Sequence, residues 1–273
     1  ISFYDLVSES IKRPIFSYED NTWGDPQCSL KSKKLSPHGM DLIKRYDGKF
    51  MLAVVNHLPK ETIELYELIE NDSIDLIWRG CVDAPKNKYF NDVALKKDGS
   101  FYVTHMYDSD SSQWSIALAS MFKNSTGEVY FWSSDQGFSV VPNTEGSFPN
   151  GIDLDNNEEN LFINYWFSGR TVKFNLKNSL ITFEHIGGGK DNLLVTDSGL
   201  WVAAHDYSGL ESLQCDYSII QCPLPFTIYH LSLENLKEIE AFSFSNGQMG
   251  AATVALPEKN KIWLGSFHGD RIA

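Results

Sequence analysis

Short apolar strands that follow a polar opening residue recur along the chain. The pattern is present in "PHGMDLIKRYDGKFMLAVVNH" (37–57), "FNDVALKKDGSFYVTH" (90–105), "FPNGIDLDNNEENLFINYW" (148–166) and "KDNLLVTDSGLWVAAHD" (190–206), with a weaker copy in 249–268. In each copy an alternating strand reaches a turn rich in Asp, Asn or Gly, and a second apolar strand follows. The pattern predicts a series of β-hairpins.

The spacing of these copies matches the repeat of a propeller blade. Their opening residues are separated by 53, 59 and 42 residues, and the weaker fifth copy opens 60 residues later. Repeats of about 40–50 residues, each with four strands, are typical of β-propellers. The opening residues are His38, Asn91, Asn150 and Asn192, with Ala252 in the fifth copy.

Further strands are predicted between the hairpins. Segments rich in β-branched and aromatic residues are "IELYELI" (63–69), "SIDLIWRG" (73–80), "GEVYFWS" (127–133), "RTVKFNL" (170–176) and "FTIYHLSL" (226–233). Helical periodicity is convincing only in residues 112–123, where Trp114, Leu118 and Met121 share one face. We therefore predict an all-β chain that forms one six-bladed β-propeller domain over residues 1–273. The two chain ends share its sixth blade, and the N-terminal segment of that blade is expected to be missing.

Charge and hydropathy narrow the classes of partner. A formal charge of −13 argues against DNA or RNA, because nucleic-acid binding uses clustered Lys and Arg. No apolar run approaches the roughly 20 residues that a membrane-spanning helix needs. Peripheral contact with a membrane surface and the oligomeric state stay open.

The four cysteines bear on the cellular compartment. Cys28, Cys81, Cys215 and Cys222 lack the Cys-x-x-Cys pairs of a zinc site. If they are bridged, the spacing suggests a local pair between Cys215 and Cys222 and a longer clasp between Cys28 and Cys81. Bridged cysteines favour a periplasmic or secreted protein, and buried free thiols in a cytoplasmic protein are the alternative.

The repeated segments resemble the serum paraoxonase and arylesterase family, within the larger group of gluconolactonases, regucalcin and diisopropyl fluorophosphatase. The resemblance is carried by "SPHGM" (36–40), "LAVVNH" (52–57), "FNDVALK" (90–96), "PNGIDLDNNEENLFI" (149–163) and "DNLLVTDSGLWVAAH" (191–205). These motifs occur in the family's order, and the similarity runs from about residue 30 to the C-terminus. "WRGCV" (78–82) and the loop between Cys215 and Cys222 look more like bacterial members.

The resemblance implies two calcium ions. Calcium prefers six to eight oxygen ligands and accepts amide carbonyls beside carboxylates. The family's catalytic ion would be bound by Asn91, Asn150, Asp191 and Asn192, and its structural ion by the Asp92 carboxylate and the backbone carbonyl of Met40. A family Glu that completes the first set is expected upstream of Ile1, and its absence would put metal binding in doubt. The alternative for each residue is a turn cap.

The resemblance also implies a histidine pair. His38 would act as the general base on water, and His57 would hold the tautomer of His38 and receive charge. In phosphotriesterase relatives the residue at Asp191 has been argued to be a nucleophile. His205, His105 and Trp114 are candidates for the substrate pocket, and residues 107–122 and 206–226 are candidates for its wall or lid. For the histidines, ordinary loop and strand-end roles are the alternative.

Together these features predict a calcium-dependent hydrolase of small esters or lactones, an arylesterase or lactonase with phosphotriesterase activity as a side reaction. The motifs of serine hydrolases and zinc proteases are missing from the sequence. The alternative is a non-catalytic propeller, stabilised by calcium, that binds a ligand or a protein on its acidic face.

Overall fold

The chain forms two compact units built almost entirely from β-strands. The computed structural model describes residues 1–6, 8–30, 32–71, 73–207, 211, 223–245, 249–267 and 272–273. This part of the chain contains 21 strands and one α-helix. Unit 1 comprises residues 1–103 and 130–140, and unit 2 comprises residues 104–129 and 141–273.

Unit 1 contains a small hairpin and two large sheets. The hairpin is formed by β1 (Phe3–Asp5) and β2 (Ser10–Lys12). The first large sheet contains β3 (Ile15–Tyr18), β4 (Pro37–Lys44), β5 (Phe50–Asn56), β6 (Thr62–Glu70) and β7 (Ile74–Asp83), in the spatial order β3-β7-β6-β5-β4. The second contains β8 (Lys88–Leu95), β9 (Phe101–Asp108), β10 (Val129–Ser133) and β11 (Gly137–Val140), in the order β11-β10-β9-β8. The last residues of β9 and the first of β10 belong to unit 2.

Unit 2 contains the helix, two four-stranded sheets and a two-stranded sheet. The helix is α1 (Gln113–Phe122). One sheet consists of β12 (Pro149–Leu154), β13 (Asn160–Tyr165), β14 (Arg170–Asn175) and β15 (Leu180–Ile186), paired in chain order. The next consists of β16 (Gly189–Thr196), β17 (Gly199–His205), β18 (Phe226–Leu231) and β19 (Glu238–Phe244), and the last of β20 (Ala252–Glu258) and β21 (Lys261–Ser266).

Within each unit, neighbouring sheets pack face to face. In unit 1, Val55 and Leu65 of the first sheet share one fully buried cluster with Phe101 and Trp132 of the second. In unit 2, Phe162 packs with residues of β16–β18 in one cluster, and Trp201 packs with residues of β20–β21 in another. Strands covered on both faces need no polar alternation, which explains the continuous apolar run of β5.

The predicted all-β propeller class is confirmed, but the predicted number of blades is not. Four sheets of four or five strands are present in the described residues, instead of six. β20 and β21 have no third or fourth partner strand there, and the N-terminal β3 does not build a separate blade because it pairs in parallel with β7. That the chain is a single domain stays a prediction.

Most predicted elements are confirmed. All five hairpins form, as β4–β5, β8–β9, β12–β13, β16–β17 and β20–β21. The disulfide between Cys28 and Cys81 is present, whereas Cys215 and Cys222 lie outside the described residues. No helix in the described ranges is long and apolar enough to cross a membrane.

Candidate active site

A β-bulge lies at the start of β4, β12 and β16, the first strands of three hairpins, and polar residues occupy it. In each case the first strand of the hairpin has one more residue than its partner strand. Pro37 to Met40 lie opposite Asn56 to Val54. Pro149 to Ile152 lie opposite Tyr165 to Ile163, and Lys190 to Leu193 lie opposite Ala204 to Val202. Bulges re-aim side chains and are frequent next to active sites. The equivalent first bulge residues are therefore His38, Asn150 and Asp191, so the repeat assigned from sequence at Asn192 is off by one residue.

The same register makes His57, Trp166 and His205 equivalent, since each follows the residue paired with the start of its bulge. A bulge residue meets its strand-end residue in two of the three cases. Nδ1 of His38 lies 2.9 Å from Nε2 of His57 in unit 1. In unit 2, Oδ2 of Asp191 lies 3.4 Å from Nε2 of His205.

His38 and His57 form the start of a longer chain of contacts. Nδ1 of His57 lies 2.9 Å from Oε2 and 3.1 Å from Oε1 of Glu61, and the Tyr89 ring stacks on the His57 ring with centroids 4.2 Å apart. The His38 side chain is exposed at the surface of the described residues. Although part of the ring stays accessible to solvent, desolvation by neighbouring residues and, secondarily, the nearby His57 lower the pKa of His38 to about 4.

The backbone around this pair is fixed by Asn56, which is 2% exposed. Its Oδ1 accepts a hydrogen bond from the N–H of Ser36 at 2.7 Å, and its Nδ2 donates to the carbonyl of Leu58 at 2.8 Å. The segment before His38 and the turn after His57 are thus held by one buried amide.

Met40 and Asp92, the residues predicted for the structural ion, lie in two neighbouring strands of unit 1, and Asn91 of the other predicted set precedes Asp92. Asn91 and Asp92 are buried at the middle of β8, and Met40 lies in β4 with its side chain 47% exposed. A Cβ atom on Gly39 would lie only 2.3 Å from Oδ1 of Asp92 and 2.5 Å from the carbonyl oxygen of Asn91. The two strand segments are therefore in direct contact.

Three of the four residues predicted for the catalytic ion lie in unit 2, and Asn91 lies in unit 1. The Asn150 side chain donates to the Asp191 carboxylate, while Oδ1 of Asn150 is buried and has no hydrogen-bond partner among the described residues. Burial raises the pKa of Asp191 to about 7, which the Asn150 hydrogen bond partly opposes. Asn192 is half-buried beside them.

These atoms fit an oxygen-preferring cation. The set offers one carboxylate and amide oxygens, and a buried carbonyl oxygen without a partner is the kind of group that a hard cation satisfies. The described ranges contain no group of three or more His, Cys, Asp or Glu side chains placed to hold a metal, because most of the predicted ligands are Asn. Calcium binding stays a prediction.

His205 is buried between aromatic side chains. Nε1–H of Trp166 donates to Nδ1 of His205 at 3.1 Å, so Nδ1 carries a lone pair. The Tyr207 ring stacks on the imidazole with centroids 4.8 Å apart. Burial lowers the pKa of His205 to about 4, against hydrogen bonds with the backbone of Ala252 and Ala251.

A cavity of about 930 Å³ lies in unit 2 next to His205. One wall is α1, through side chains that include Ile116, Ala117 and Ser120. The opposite wall consists of Trp166–Gly169, Gly187–Gly189 and His205–Tyr207. Most of the lining area is apolar, as in many small-molecule sites, and the charged side chains of Lys123, Asp206 and Glu211 also border the cavity.

Two predicted pocket residues do not line this cavity. Trp114 is 81% exposed, because α1 turns the face with Trp114 and Leu118 to solvent. His105 is buried, with its ring nitrogens 3.3 Å from Oδ1 of Asp108 and 3.4 Å from Oε1 of Glu128. Residues 107–122 do supply a wall through α1, whereas most of 206–226 lies outside the described residues.

Sequence reasoning missed Glu61, Trp166 and the Gly187–Gly189 turn. Trp166 has a signal in the sequence, because it follows its strand as His57 and His205 follow theirs. The three glycines allow close approach: a Cβ on Gly188 would lie 2.6 Å from Oδ1 of Asp206. Glu61 belongs to none of the sequence motifs, so no pattern indicated it.

Part of the chain matches a known protein family. The sequence profile of the arylesterase family matches residues 26–206, about two thirds of the chain. The adipocyte plasma membrane-associated protein hemomucin of Drosophila melanogaster is 26% identical over 208 residues. The matched region covers 67% of this chain and 36% of that protein, so the chain spans about a third of the length of this relative. The expected bacterial origin stays a prediction.

Among solved structures, a luciferin-regenerating enzyme aligns with a TM-score of 0.47 and 13% identity, over 82% of this chain and 69% of its own. A gluconolactonase from Xanthomonas campestris aligns with a TM-score of 0.46 and 11% identity, over 82% and 68% of the two chains. Because these scores are below 0.5, the fold assignment rests on the sheets and the family profile.

Proposed function

Because the chain belongs to the arylesterase family, we propose that it is a calcium-dependent hydrolase of small carboxylic esters or lactones, in which His38 is the general base. The observation that carries the proposal is the 2.9 Å contact between His38 Nδ1 and His57 Nε2. A histidine whose second nitrogen is hydrogen-bonded has a fixed tautomer, and its free nitrogen can take a proton from water.

Calcium would be held by Asp191, Asn150 and Asn192 of unit 2, with Asn91 as the fourth predicted ligand. The support is the buried Asp191 carboxylate beside the unpartnered Oδ1 of Asn150. When bound, the ion would polarise a carbonyl group and favour negative charge on its oxygen. A second ion at Asp92 and the Met40 carbonyl would join β4 to β8. A phosphotriesterase side reaction, with Asp191 as nucleophile, is the less favoured mechanism.

The apolar part of the substrate would lie in the unit 2 cavity. Its aromatic and aliphatic wall residues, Trp166, Phe167 and Ile116 among them, favour an acyl or aryl group over a highly polar one. The acidic chain and the absence of a basic patch in the sequence argue for a small-molecule partner instead of a polyanion.

The rival proposal is a non-catalytic propeller that binds a ligand. An assay on aryl acetates and a series of lactones, with and without EDTA, separates the two. We expect turnover that EDTA abolishes and added CaCl₂ restores. Bound calcium without turnover on any of these substrates would favour the binding protein.

Replacement of His38 tests the assigned base. We expect His38→Gln to lower kcat by at least about 10²-fold, since general-base catalysis contributes 10²–10⁴-fold. His230→Gln is a control at a histidine of β18, which contacts the Ser198 carbonyl and the Trp201 ring. Near-normal hydrolysis by His38→Gln would transfer the role of base to another group.

The disulfide between Cys28 and Cys81 supports an oxidising compartment, either periplasmic or extracellular. It joins the segment before β4 to β7 over a separation of 53 residues. Alkylation of purified protein under denaturing, non-reducing conditions checks the pairing: these two cysteines should stay unlabelled until a reductant is added.

A further inference from the structure

Glu61 lies next to the His38–His57 pair, in the turn between β5 and β6. Its carboxylate contacts Nδ1 of His57 through both oxygens, at 2.9 Å and 3.1 Å. The N–H of Phe90 in β8 donates to Oε1 at 2.8 Å, and the N–H of Ala84 donates to the backbone carbonyl of Glu61 at 3.1 Å. The His57 and Glu61 side chains are only 12% and 16% exposed. The Phe90 N–H therefore holds the carboxylate, and the Ala84 N–H holds the backbone that carries it.

These contacts determine where the protons of the two histidines lie. An ionised carboxylate accepts hydrogen bonds and cannot donate them, so Nδ1 of His57 must carry a proton. In neutral His57, Nε2 then has a lone pair and accepts a hydrogen bond from Nδ1–H of His38 at 2.9 Å. The lone pair of His38 is left on Nε2, the nitrogen that points away from this chain of contacts.

We propose that Glu61 is a positioning residue that fixes the tautomers of His57 and His38 and so leaves a basic nitrogen on His38. The inference rests on the proposed function, and it adds a residue that lies outside the sequence motifs quoted above. Tyr89 supports the same arrangement, because its ring is stacked on His57 with an interplanar angle of 8°. Glu61 holds the edge of the imidazole and Tyr89 holds its face.

His38 takes one proton from water and passes another to His57, so the number of protons is conserved along the His38–His57–Glu61 contacts. When water attacks, an O–H bond of water breaks and the proton forms a bond with Nε2 of His38. The Nδ1 proton of His38 moves to Nε2 of His57, which becomes an imidazolium paired with the Glu61 carboxylate. His38 returns to neutral in its other tautomer, and the positive charge lies beside an anion that is already in place.

The tautomer can be measured directly in the unmodified chain. Two-bond ¹H–¹⁵N correlation spectra of ¹⁵N-histidine-labelled protein, assigned with His57→Gln, distinguish a proton on Nδ1 from one on Nε2. We expect neutral His57 to carry its proton on Nδ1. A proton on Nε2 of neutral His57 would overturn the proposal, whether or not any variant folds.

Glu61→Gln tests the consequence for catalysis. The Gln carbonyl can still accept from the Phe90 N–H, while its amide can donate to Nδ1 of His57 and favour the opposite tautomer. We expect kcat to fall by about 10- to 100-fold, the range for loss of an orienting partner, with KM changed less than about two-fold. Glu70→Gln, at the exposed end of β6, is the matched control and should leave kcat unchanged.

The outcomes separate this inference from the proposed function. If the unmodified chain hydrolyses no ester or lactone, the proposed function fails, and the positioning role fails with it even where Nδ1 of His57 carries the proton. If the unmodified chain is active and Glu61→Gln keeps its kcat, the proposed function stands and the role of Glu61 is refuted. A stable Glu61→Gln variant with a shifted tautomer, lower kcat and unchanged KM supports both.

Discussion

Gly39 and Gly151 allow the first strands of neighbouring sheets to approach closely, β4 to β8 and β12 to β16. A Cβ on Gly151 would lie 2.6 Å from Cα of Asn192 and 2.7 Å from the Asp191 carbonyl oxygen, and Gly39 has the same relation to Asn91 and Asp92. Real Cβ atoms do not approach backbone so closely. The glycine after the first bulge residue is therefore what brings His38 and Asn150 close to the next strand.

A carboxylate two residues later joins the same strands. Oδ2 of Asp153 accepts from the N–H of Val195 at 2.7 Å, and Oδ2 of Asp41 accepts from the N–H of Leu95 at the same distance. The motifs "PHGMD" and "PNGID" thus each contain a glycine that lets two strands approach closely and an aspartate that links them by a charge-assisted hydrogen bond.

We expect Gly151→Ala to destabilise the chain. The added methyl group would meet backbone atoms that cannot rotate away, so the strands must separate, at a cost of about 1–3 kcal/mol. The free energy of unfolding in urea measures this cost. Gly265→Ala is the control, because its Cβ would meet one side-chain atom, Cγ1 of the half-exposed Val254. Equal losses in the two variants would contradict the argument from close approach.

At the residue scale, the sequence predicts repeated positions better than unique ones. His38, His57 and Asp191 recur in a motif, and the structure brings His38 to His57 and Asp191 to His205. Glu61 could not be predicted, because it reaches His57 through a turn whose geometry no pattern specifies. The one-residue error at Asn192 has a similar cause, since a bulge adds a residue without changing the apolar pattern.

At the scale of elements, the helix predicted within residues 112–123 is confirmed as α1. Its bounds are set by Ser112, whose Oγ accepts from the N–H of Ser115, and by Lys123 in the left-handed conformation. The face predicted to contain Trp114, Leu118 and Met121 is mostly exposed: Met121 is 74% exposed, and Ala119 is the buried residue of the helix. Periodicity identifies a stripe on a helix, but it does not say whether protein covers that stripe.

The wall formed by α1 leads to a prediction on substrate size. Ser120→Trp would fill part of the cavity, whereas Leu118→Trp changes the exposed face of the same helix. If substrates use the cavity, Ser120→Trp should raise KM for bulky aryl esters by about ten-fold, equivalent to about 1.4 kcal/mol of binding, and leave KM for a small acetate near its normal value. Parallel effects of both variants on every substrate would show that the cavity does not select size.

Outer strands were harder to predict than inner ones. β5 and β17 are buried along almost their whole length and read as apolar runs, while β15 and β19 are mostly exposed. An edge strand with one free side needs no apolar alternation, so "LITFEHI" (180–186) has no clear signal. The core of each sheet is thus encoded more strongly than its edge.

At the scale of the whole molecule, the number of blades is a property that local patterns do not determine. Each hairpin is encoded by its own residues, but closure depends on which strands fill the last edges. Here β3 takes an edge of the first sheet by parallel pairing with β7, which the sequence pattern did not indicate. Charge also acts on the whole chain: a net charge of −13 opposes compaction and falls in magnitude as carboxylates are protonated.

His185 in β15 lowers the stability of the fold at acidic pH. This effect is opposite in sign to that of the decreasing net charge. Burial and then the nearby Lys190 ammonium lower its pKa to about 4, against Glu238, whose Oε2 lies 3.8 Å away. Tyr229 is the other titratable group against its ring. The unfolded chain has a histidine pKa near 6.5, so it binds more protons than the folded chain between about pH 6.5 and 4. His185 therefore destabilises the fold progressively as the pH falls through this window.

We expect His185→Gln to reduce the loss of stability between pH 7 and pH 4.5 by about 1–2 kcal/mol, a value below the full linkage because the site is partly solvated. Urea unfolding of both proteins, at several pH values and one fixed calcium concentration, measures the difference. Changes in overall charge affect the unmodified protein and the variant almost equally, so their contribution cancels in the difference. His38 and His205 are shifted in the same direction, so a smaller slope should remain in the variant. Identical slopes for the two proteins would show that His185 is as easily protonated in the folded chain as in the unfolded one.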